Sequence, residues 1–488
     1  MSKAFPLAIG AVVIVAAATT GIAWYTGTQV EPLLRQQVAE GNQQLKAALV
    51  GVPVTAALEL TGFERRLFTS TAHFVTTVQA TDFNQGQPLR IEAVADIEHG
   101  PFPWSRVKAL KLLPVMIAAN VQVQGPPALR QLLGMPDGQP PLAVYTTAHY
   151  GGTLDGRYQL VPGQWPIGQD TLRYSGVEGT FDGTQDGKRL ELDTRLDSLE
   201  YTFGTDLTLQ ISGVSLHTGG VRGESGFYLG NTQMQAERQR FSGPGKLPFE
   251  MQNITVLGSL EELGGKLKGS ADYRIGQSVI GDKPIGSAQM RWVFDNLDIA
   301  ASREMAAFYE EVMAPQMVAA SEAQQPFTPQ LTPQQQARWQ ASLDRLLSGR
   351  PHIELQPLGL KTANGESHLS IALDLTKPAS PDLPQALLVQ QLIAKLDVKL
   401  AVAKGTIRDL VTLKGQLEGE TDAAALAQIA DSAVNLAVTL ATLQGLANAD
   451  ENDILSSLHY EAGTVDFNGQ KMTLEQFTAF LMGITGQQ

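Results

Sequence analysis

Over much of its length the sequence alternates apolar and polar residues with a period of two, and this excludes a helix bundle. Ile91-Glu-Ala-Val-Ala-Asp-Ile97, Leu190-Glu-Leu192-Asp-Thr-Arg-Leu196 and Asp206-Leu207-Thr-Leu209-Gln-Ile211-Ser212 each put apolar side chains on one side of an extended strand and polar ones on the other. Such strands bury one face and pair antiparallel. Asp155-Gly156, Asp182-Gly183, Asp186-Gly187 and Gly219-Gly220 are turn steps by composition, so they predict the links between strands. A sheet-dominated region over about 52–300 follows. The 47 glycines and 26 prolines of the whole chain, with only 17% charged residues, agree with many turns.

At 488 residues the chain exceeds what one core usually serves, so two or three domains, or one long elongated one, are expected. There is no cysteine, which removes disulfides, zinc knuckles, iron–sulfur ligation and thiol nucleophiles together. Lys and Arg number 36 against 49 Asp and Glu, a net charge of −13 that would repel phosphate backbones; no nucleic-acid partner is expected.

Ala4 to Tyr25 carries no charge. At ~1.5 Å per residue it is long enough to cross a ~30 Å hydrocarbon layer. Lys3 suits the cytoplasmic side and the Trp24-Tyr25 pair the far interface, which puts the body outside the cytoplasm, held by a single membrane span. Ala16-Ala17-Ala18 offers the rival, a cleaved signal peptide, but the apolar run continues past it to the aromatic pair. Ala17 and Gly21 form a small-xxx-small pair that would suit a homodimer.

Val30, Leu33, Leu34, Val38, Leu45 and Leu49 recur at helical spacing and predict an amphipathic helix after the span. Met305, Phe308, Tyr309, Val312 and Met313 mark another, which Pro315 should bend or end. A Gln/Pro-rich loop over 324–333 leads to a helix with Thr332 as N-cap, Pro333 at its first position and Trp339, Leu343, Leu346 and Leu347 as its buried stripe. Strands return at Ile353–Leu355, Leu369–Leu375 and Leu396–Val402, with Asn364-Gly365 as a hairpin turn and a short helix over Leu387–Ile393. Leu426, Ile429, Ala433, Leu436, Leu440 and Leu443 make one stripe on a long helix over 423–447. A hairpin through Leu458, Tyr460, Val465 and Phe467 then precedes a terminal helix capped by Thr473-x-x-Gln476. The partition expected is an anchor (1–27), a helix and β-rich region (28–300), a helical segment (301–349) and a second strand-rich region (350–488).

Chemistry is sparse. The seven histidines never fall at helix-borne metal spacing, and no phosphate-cradling glycine loop occurs. Ser105-x-x-Lys108 has a Ser/Lys nucleophile spacing but no companion motif. Asp182, Thr184, Asp186 and Asp193 fit positions of a calcium-loop template, against which stands a plain Asp-Gly hairpin with Asp193 on a solvated face. Glu98-His99-Gly-Pro-Phe-Pro103 is a rigid bend with an imidazole at its lip, either a structural corner or the place to look first for activity.

Ala23-Trp24-Tyr25-Thr-Gly27, His99-Gly-Pro-Phe-Pro103, Gly365-Glu-Ser367 and Asn468-Gly-Gln-Lys-Met-Thr-Leu-Glu475 together resemble the YdgA-like family of proteobacterial inner-membrane proteins. The resemblance runs end to end and implies an inner-membrane anchor with a periplasmic body; that family is uncharacterised and lends no functional residue. The fold expected is α+β: an N-terminal transmembrane helix, then a large twisted antiparallel sheet with packed helices. The function expected is binding without catalysis or cofactor. Its partners would be the bilayer and a lipid or other apolar ligand held on a hydrophobic sheet face; the alternative is an envelope scaffold that self-associates or docks proteins.

Overall fold

The computed structural model describes residues 30–49, 54–66, 68–80, 87–99, 101–124, 140–167, 169–323, 325–380 and 383–485. The span 4–25, with Lys3, Trp24 and Tyr25, lies outside them. The protein is mostly antiparallel sheet with helices, an α+β fold, and it divides into two compact units. One unit runs to Gly230 and takes in Ala306–Pro333; the other is Asn231–Met305 with Gln334–Gln488.

In the first unit, β1 (Val54–Arg65), β2 (Thr69–Ala80), β3 (Leu89–His99), β4 (Ile117–Gln124), β5 (Leu142–Ala148) and β6 (Thr153–Leu160) pair in succession. A hairpin of β7 (Gly163–Ile167) and β8 (Asp170–Tyr174) intervenes. β6 then pairs with β9 (Val177–Thr184), β9 with β10 (Arg189–Phe203), and β10 with both β8 and β11 (Leu207–Arg222). Helix α1 (Val30–Ala48) forms as its spacing predicts. Its Leu34, Val38 and Leu45, with Leu49 just beyond, are buried against Leu58, Phe74, Ala95, Val121 and Val144. Asn42 bonds the backbone of Leu58, its amide nitrogen to the carbonyl at 2.8 Å and its oxygen accepting from N–H at 2.7 Å. That gives edge strand β1 a side-chain substitute for a missing neighbour.

Three of the four expected turns are not turns. Gly156, Gly183 and the Gly219-Gly220 pair lie inside β6, β9 and β11; only Asp186-Gly187 closes a hairpin. The reason is space: a Cβ on Gly183 would sit 2.6 Å from Arg189 O and one on Gly220 2.8 Å from Leu229 O, while at Gly156, as at Gly179 further along, the neighbour is an aromatic ring. A Cβ on Gly156 would sit 2.2 Å from the Phe181 ring, and one on Gly179 would sit 2.4 Å from Tyr158. Aromatic rings from the neighbouring strand lie over these glycines, which is why no side chain is tolerated there.

β12 (Tyr228–Gly243) spans the boundary in sequence. In the second unit, β13 (Lys246–Leu263), β14 (Lys266–Ile280), β15 (Lys283–Asp298), β16 (His352–Lys361), β17 (Glu366–Leu375) and β18 (Ile393–Ala403) pair in order. β18 pairs with β20 (Asp453–Glu461), which also holds the short β19 (Asn448–Ala449), and β21 (Thr464–Phe467) and β22 (Gln470–Thr473) complete the ladder.

Among the helices, α2 (Trp104–Lys108) follows β3. α3 (Ile299–Phe308) is interrupted rather than ended near Pro315, the residue expected to bend or end it. Proline leaves the carbonyl four residues earlier without a donor, and a π turn over Tyr309–Met313 takes up the break before α4 (Ala314–Glu322) resumes. α5 (Pro333–Ser348) starts where its cap and proline predict, and α6 (Gln385–Leu392) forms at the expected short helix 387–393, starting two residues earlier and ending before Ile393, which opens β18. α7 (Lys404–Leu417) precedes α8 (Ala423–Leu443), whose N-cap Asp422 accepts from Ala424 N–H at 2.9 Å. α9 (Leu474–Thr485) starts with the expected capping box. Gln476 N–H donates to Thr473 Oγ1 at 3.2 Å, and Thr473 N–H to Gln476 Oε1 at 2.8 Å. Its Phe477 and Phe480 pack on Phe467.

The long-helix stripe is a correction. α8 buries Leu426, Ala430 and Val434, while Ile429, Leu436, Leu440 and Leu443 are exposed. It packs chiefly on α7, where Arg408 Nε meets Asp431 at 2.7 Å, and also touches the short strand β19. Among the described residues it is the one helix long and apolar enough to cross a membrane by length and composition.

Candidate functional site

Directly opposed residues in neighbouring strands share a sheet face, so the register of the second unit can be followed from strand to strand. One rung runs Val256, Tyr273, Met290, Leu358, Leu369, Leu400 across β13 to β18. The next runs Gly258, Ala271, Trp292, Leu355, Ile371, Val398, Leu458, Phe467. A third runs Leu260, Gly269, Phe294, Ile353, Leu373, Leu396, Tyr460, Val465. A bulge between Leu355 and Leu358 inserts one extra residue, which keeps both leucines on the same face.

Three adjacent rungs therefore make a continuous apolar band. At the β20–β22 end α9 covers it, and Tyr460, Val465 and Phe467 are buried. Towards β14–β18 the cover ends. Tyr273, Trp292, Leu358 and Leu400 are 41%, 39%, 43% and 38% exposed. The Phe294 ring lies over Gly269, where a Cβ would sit 2.3 Å from it, so the aromatic side chain lies flat along the sheet.

The opposite face is ionic. His352 Nδ1 meets Asp374 at 2.6 Å, His459 Nδ1 meets Asp397 at 2.6 Å, and Lys395 Nζ meets Asp397 at 2.9 Å. Burial alone would raise the Asp397 carboxyl, but hydrogen bonds from Lys395 and His459 hold it below its usual value. One side of this sheet suits water and the other suits hydrocarbon.

The Glu98–His99 corner resolves into two separate contacts. Neighbouring residues in a strand point to opposite faces. His99 Nε2 pairs with Ser70 Oγ at 2.8 Å, at the end of the first unit's inner stripe. Its pKa is lowered by burial and by the nearby Arg65 guanidinium. Glu98 instead accepts from Ser105 N–H at 2.9 Å and from the Ser105 hydroxyl. Lys108 Nζ lies 5.5 Å from the centre of the Trp104 ring. The Ser105 hydroxyl is thus held by a carboxylate, while Lys108 is drawn to an aromatic face. Nucleophile, amine and imidazole do not converge, and the geometry supports a structural corner.

The calcium-loop carboxylates are likewise engaged one by one. Asp182 pairs with Arg189 at 2.7 Å, which also reaches Glu191 at 3.1 Å; Asp193 pairs with His217 at 2.9 Å. Asp186 accepts from Thr184 Oγ1 at 2.6 Å and from Lys188 N–H at 3.1 Å, contacts that hold its pKa at about 2. Asp182 lies in β9, Asp193 in β10, and only Asp186 is in the turn, so the template's spacing does not become a cage. Among the described residues no three His, Asp or Glu side chains gather to hold a metal ion. A cavity of about 440 Å³ beside α7 contains Lys283, Lys361 and Asp409, but Asp409 is taken up by Asn364 and Lys361 by Glu366.

Reading the sequence alone missed the band. Its strands were legible, but the signal that joins them into rungs is pairing register, and the openness of the face depends on where helices settle.

Residues 1–475 match the model of a family described as bacterial protein of unknown function, DUF945. Among similar proteins, protein YdgA of Escherichia coli K12 is 26% identical over 489 residues, covering 96% of this chain and 95% of that one. The uncharacterized protein YihF of the same organism is 22% identical over 477 residues, covering 96% and 97%. No solved structure matches.

Proposed function

Since the chain belongs to the DUF945 family, whose description assigns no activity, we propose, from the charge-free run 4–25 for its place and from the second unit's sheet for its activity, that it is an inner-membrane-anchored periplasmic binding protein. In this reading the second unit shelters a lipid or other apolar ligand on its hydrophobic sheet face. The observation that carries it is the accessible part of the apolar band around Tyr273, Trp292, Leu358 and Leu400. A rung from β13 to β18 crosses six strands, roughly 24 Å at ~4.8 Å per step. That exceeds the ~15 Å that one leaflet of a ~30 Å core provides for a chain. Each CH₂ withdrawn from water on such a face yields about 0.8 kcal/mol, so an acyl chain needs no special polar group to be retained. The charge-free span 4–25 would keep the body beside a source of such chains.

Native mass spectrometry of the full chain, gently extracted, tests this. Bound phospholipid or fatty acid is expected, and Trp292→Glu with Leu358→Glu should abolish it while the protein stays folded. Protein free of lipid, or lipid retained unchanged by the double variant, would overturn the assignment to this band. A scaffold is the second reading, favoured by the four exposed apolar residues of α8. It requires a multimer that Leu436→Glu with Leu440→Glu dissociates.

A further inference from the structure

The loop after β3, with Phe68 from the connection between β1 and β2, builds a second surface that shares no residue with the band. Phe68, Phe102, Trp104, Leu110, Leu112 and Leu113 are exposed by 59–84%. Large apolar side chains grouped this densely on a water-facing surface mark an interaction site. The loop is held in place by its own bonds. His99 N–H donates to Phe68 O at 2.8 Å, Lys111 N–H to Arg106 O at 2.9 Å and Val115 N–H to Pro101 O at 3.0 Å. Val115, fully buried, pins the far end, and Glu98 holds the start of α2 through Ser105. The hydrophobic side chains are thus displayed by an ordered backbone.

Their charged neighbours are mostly positive. Arg65, Arg66, Lys108 and Lys111 are exposed, and Arg106 is half-buried against Thr147. The anions at this end are Glu64, Asp96, Glu98 and Asp155, of which Glu98 accepts from Ser105, Asp96 from Thr71 Oγ1, and Asp155 pairs with His149. Five cations against four anions, three of them already engaged, leave a small local cationic excess on a chain of net charge −13. An aromatic ring with lysine and leucine beside it matches the membrane interface: the ring sits among headgroups, the leucines enter the acyl boundary and the ammonium groups meet lipid phosphates.

We infer that the Phe68 and Phe102–Leu113 corner docks onto an anionic lipid surface. Charge complementarity selects a bilayer over an apolar protein groove, and the span 4–25, read as an anchor, would hold the corner within reach of one. The inference shares that anchor with the proposed function but does not depend on ligand binding by the band.

The absence of cysteine allows a single-site probe. Full-length protein carrying Leu112→Cys, labelled with an environment-sensitive fluorophore, is reconstituted into vesicles of phosphatidylcholine alone or with 30% phosphatidylglycerol. Thr205→Cys, in the exposed turn after β10, is the control. With phosphatidylglycerol, a blue shift and at least twofold quenching by spin-labelled lipid are expected at position 112 and neither at 205. Each exposed cation contributes about fivefold to docking, so Lys108→Glu with Lys111→Glu should weaken it by tenfold or more. Leu113→Cys serves if the label at 112 perturbs folding. Emission unchanged in both vesicle types would overturn the proposal. So would shielding of the label in detergent together with a doubled mass, which would identify a second copy of the chain as occupant. Trp292→Glu with Leu358→Glu should leave the quenching intact, which separates this outcome from failure of the lipid-sheltering reading.

Discussion

Replacing Leu45 and Leu400 by alanine, one at a time, compares a closed apolar seam with an open one. Both substitutions remove the same atoms, worth about 2.4 kcal/mol of transfer free energy at about 0.8 kcal/mol per carbon. Leu45 is 1% exposed between α1 and the first unit's sheet. Its loss also leaves a cavity that close packing cannot fully collapse, which brings the expected cost to about 3–4 kcal/mol. Leu400 is 38% exposed on the apolar band. It loses about three-fifths of the transfer term and leaves no closed cavity, so about 1.5 kcal/mol is expected. The two units need not unfold together, and hydrogen exchange therefore measures each effect locally. Amides of β1 and β2 should lose several hundredfold protection in Leu45→Ala, and those of β17 and β18 about tenfold in Leu400→Ala, at about 1.4 kcal/mol per decade. Equal losses would mean that the band is packed as tightly as the α1 seam, and the argument for an open ligand face would fall.

Thr473→Ala removes one half of the α9 capping box and should cost about 1 kcal/mol, read as roughly fivefold faster exchange of the first-turn amides. His99 should titrate below 6.5, because burial and Arg65 both disfavour the imidazolium. Its folded pKa is depressed, so its contribution to stability is present above 6.5 and lost as pH falls through the folded value. An NMR titration checks this: Arg65→Gln should move the value up towards 6.5, and titration of the unaltered protein above 6.5 would contradict the burial argument. Calcium should leave the melting temperature unchanged, since Asp182, Asp186 and Asp193 are held by three different partners, Arg189, Lys188 and His217; a rise at millimolar calcium would restore the loop reading.

Local signals in the sequence went far. Period-two alternation located strands throughout, and the spacing of Leu34, Val38 and Leu45 determined both the existence of α1 and the side it buries. Thr473 with Gln476, and Thr332 with Pro333, placed helix starts because capping is decided within four residues. Asp-Gly steps misled, since glycine serves turns through its backbone freedom and strand interiors through its lack of a side chain. Only the partner strand, supplying Phe181 over Gly156, reveals which is at work.

Chain order alone determined which residues could be apolar neighbours along a strand or helix. It did not decide which of those surfaces would be covered. The Leu426 to Leu443 stripe and the rungs from Val256 to Leu400 are as apolar as the face that α1 fills, yet much of each remains open to water. Periodicity is a property of a dozen consecutive residues, whereas cover comes from segments tens or hundreds of residues away. Both the sheltered core and the exposed lipid-facing candidates were therefore settled by tertiary packing.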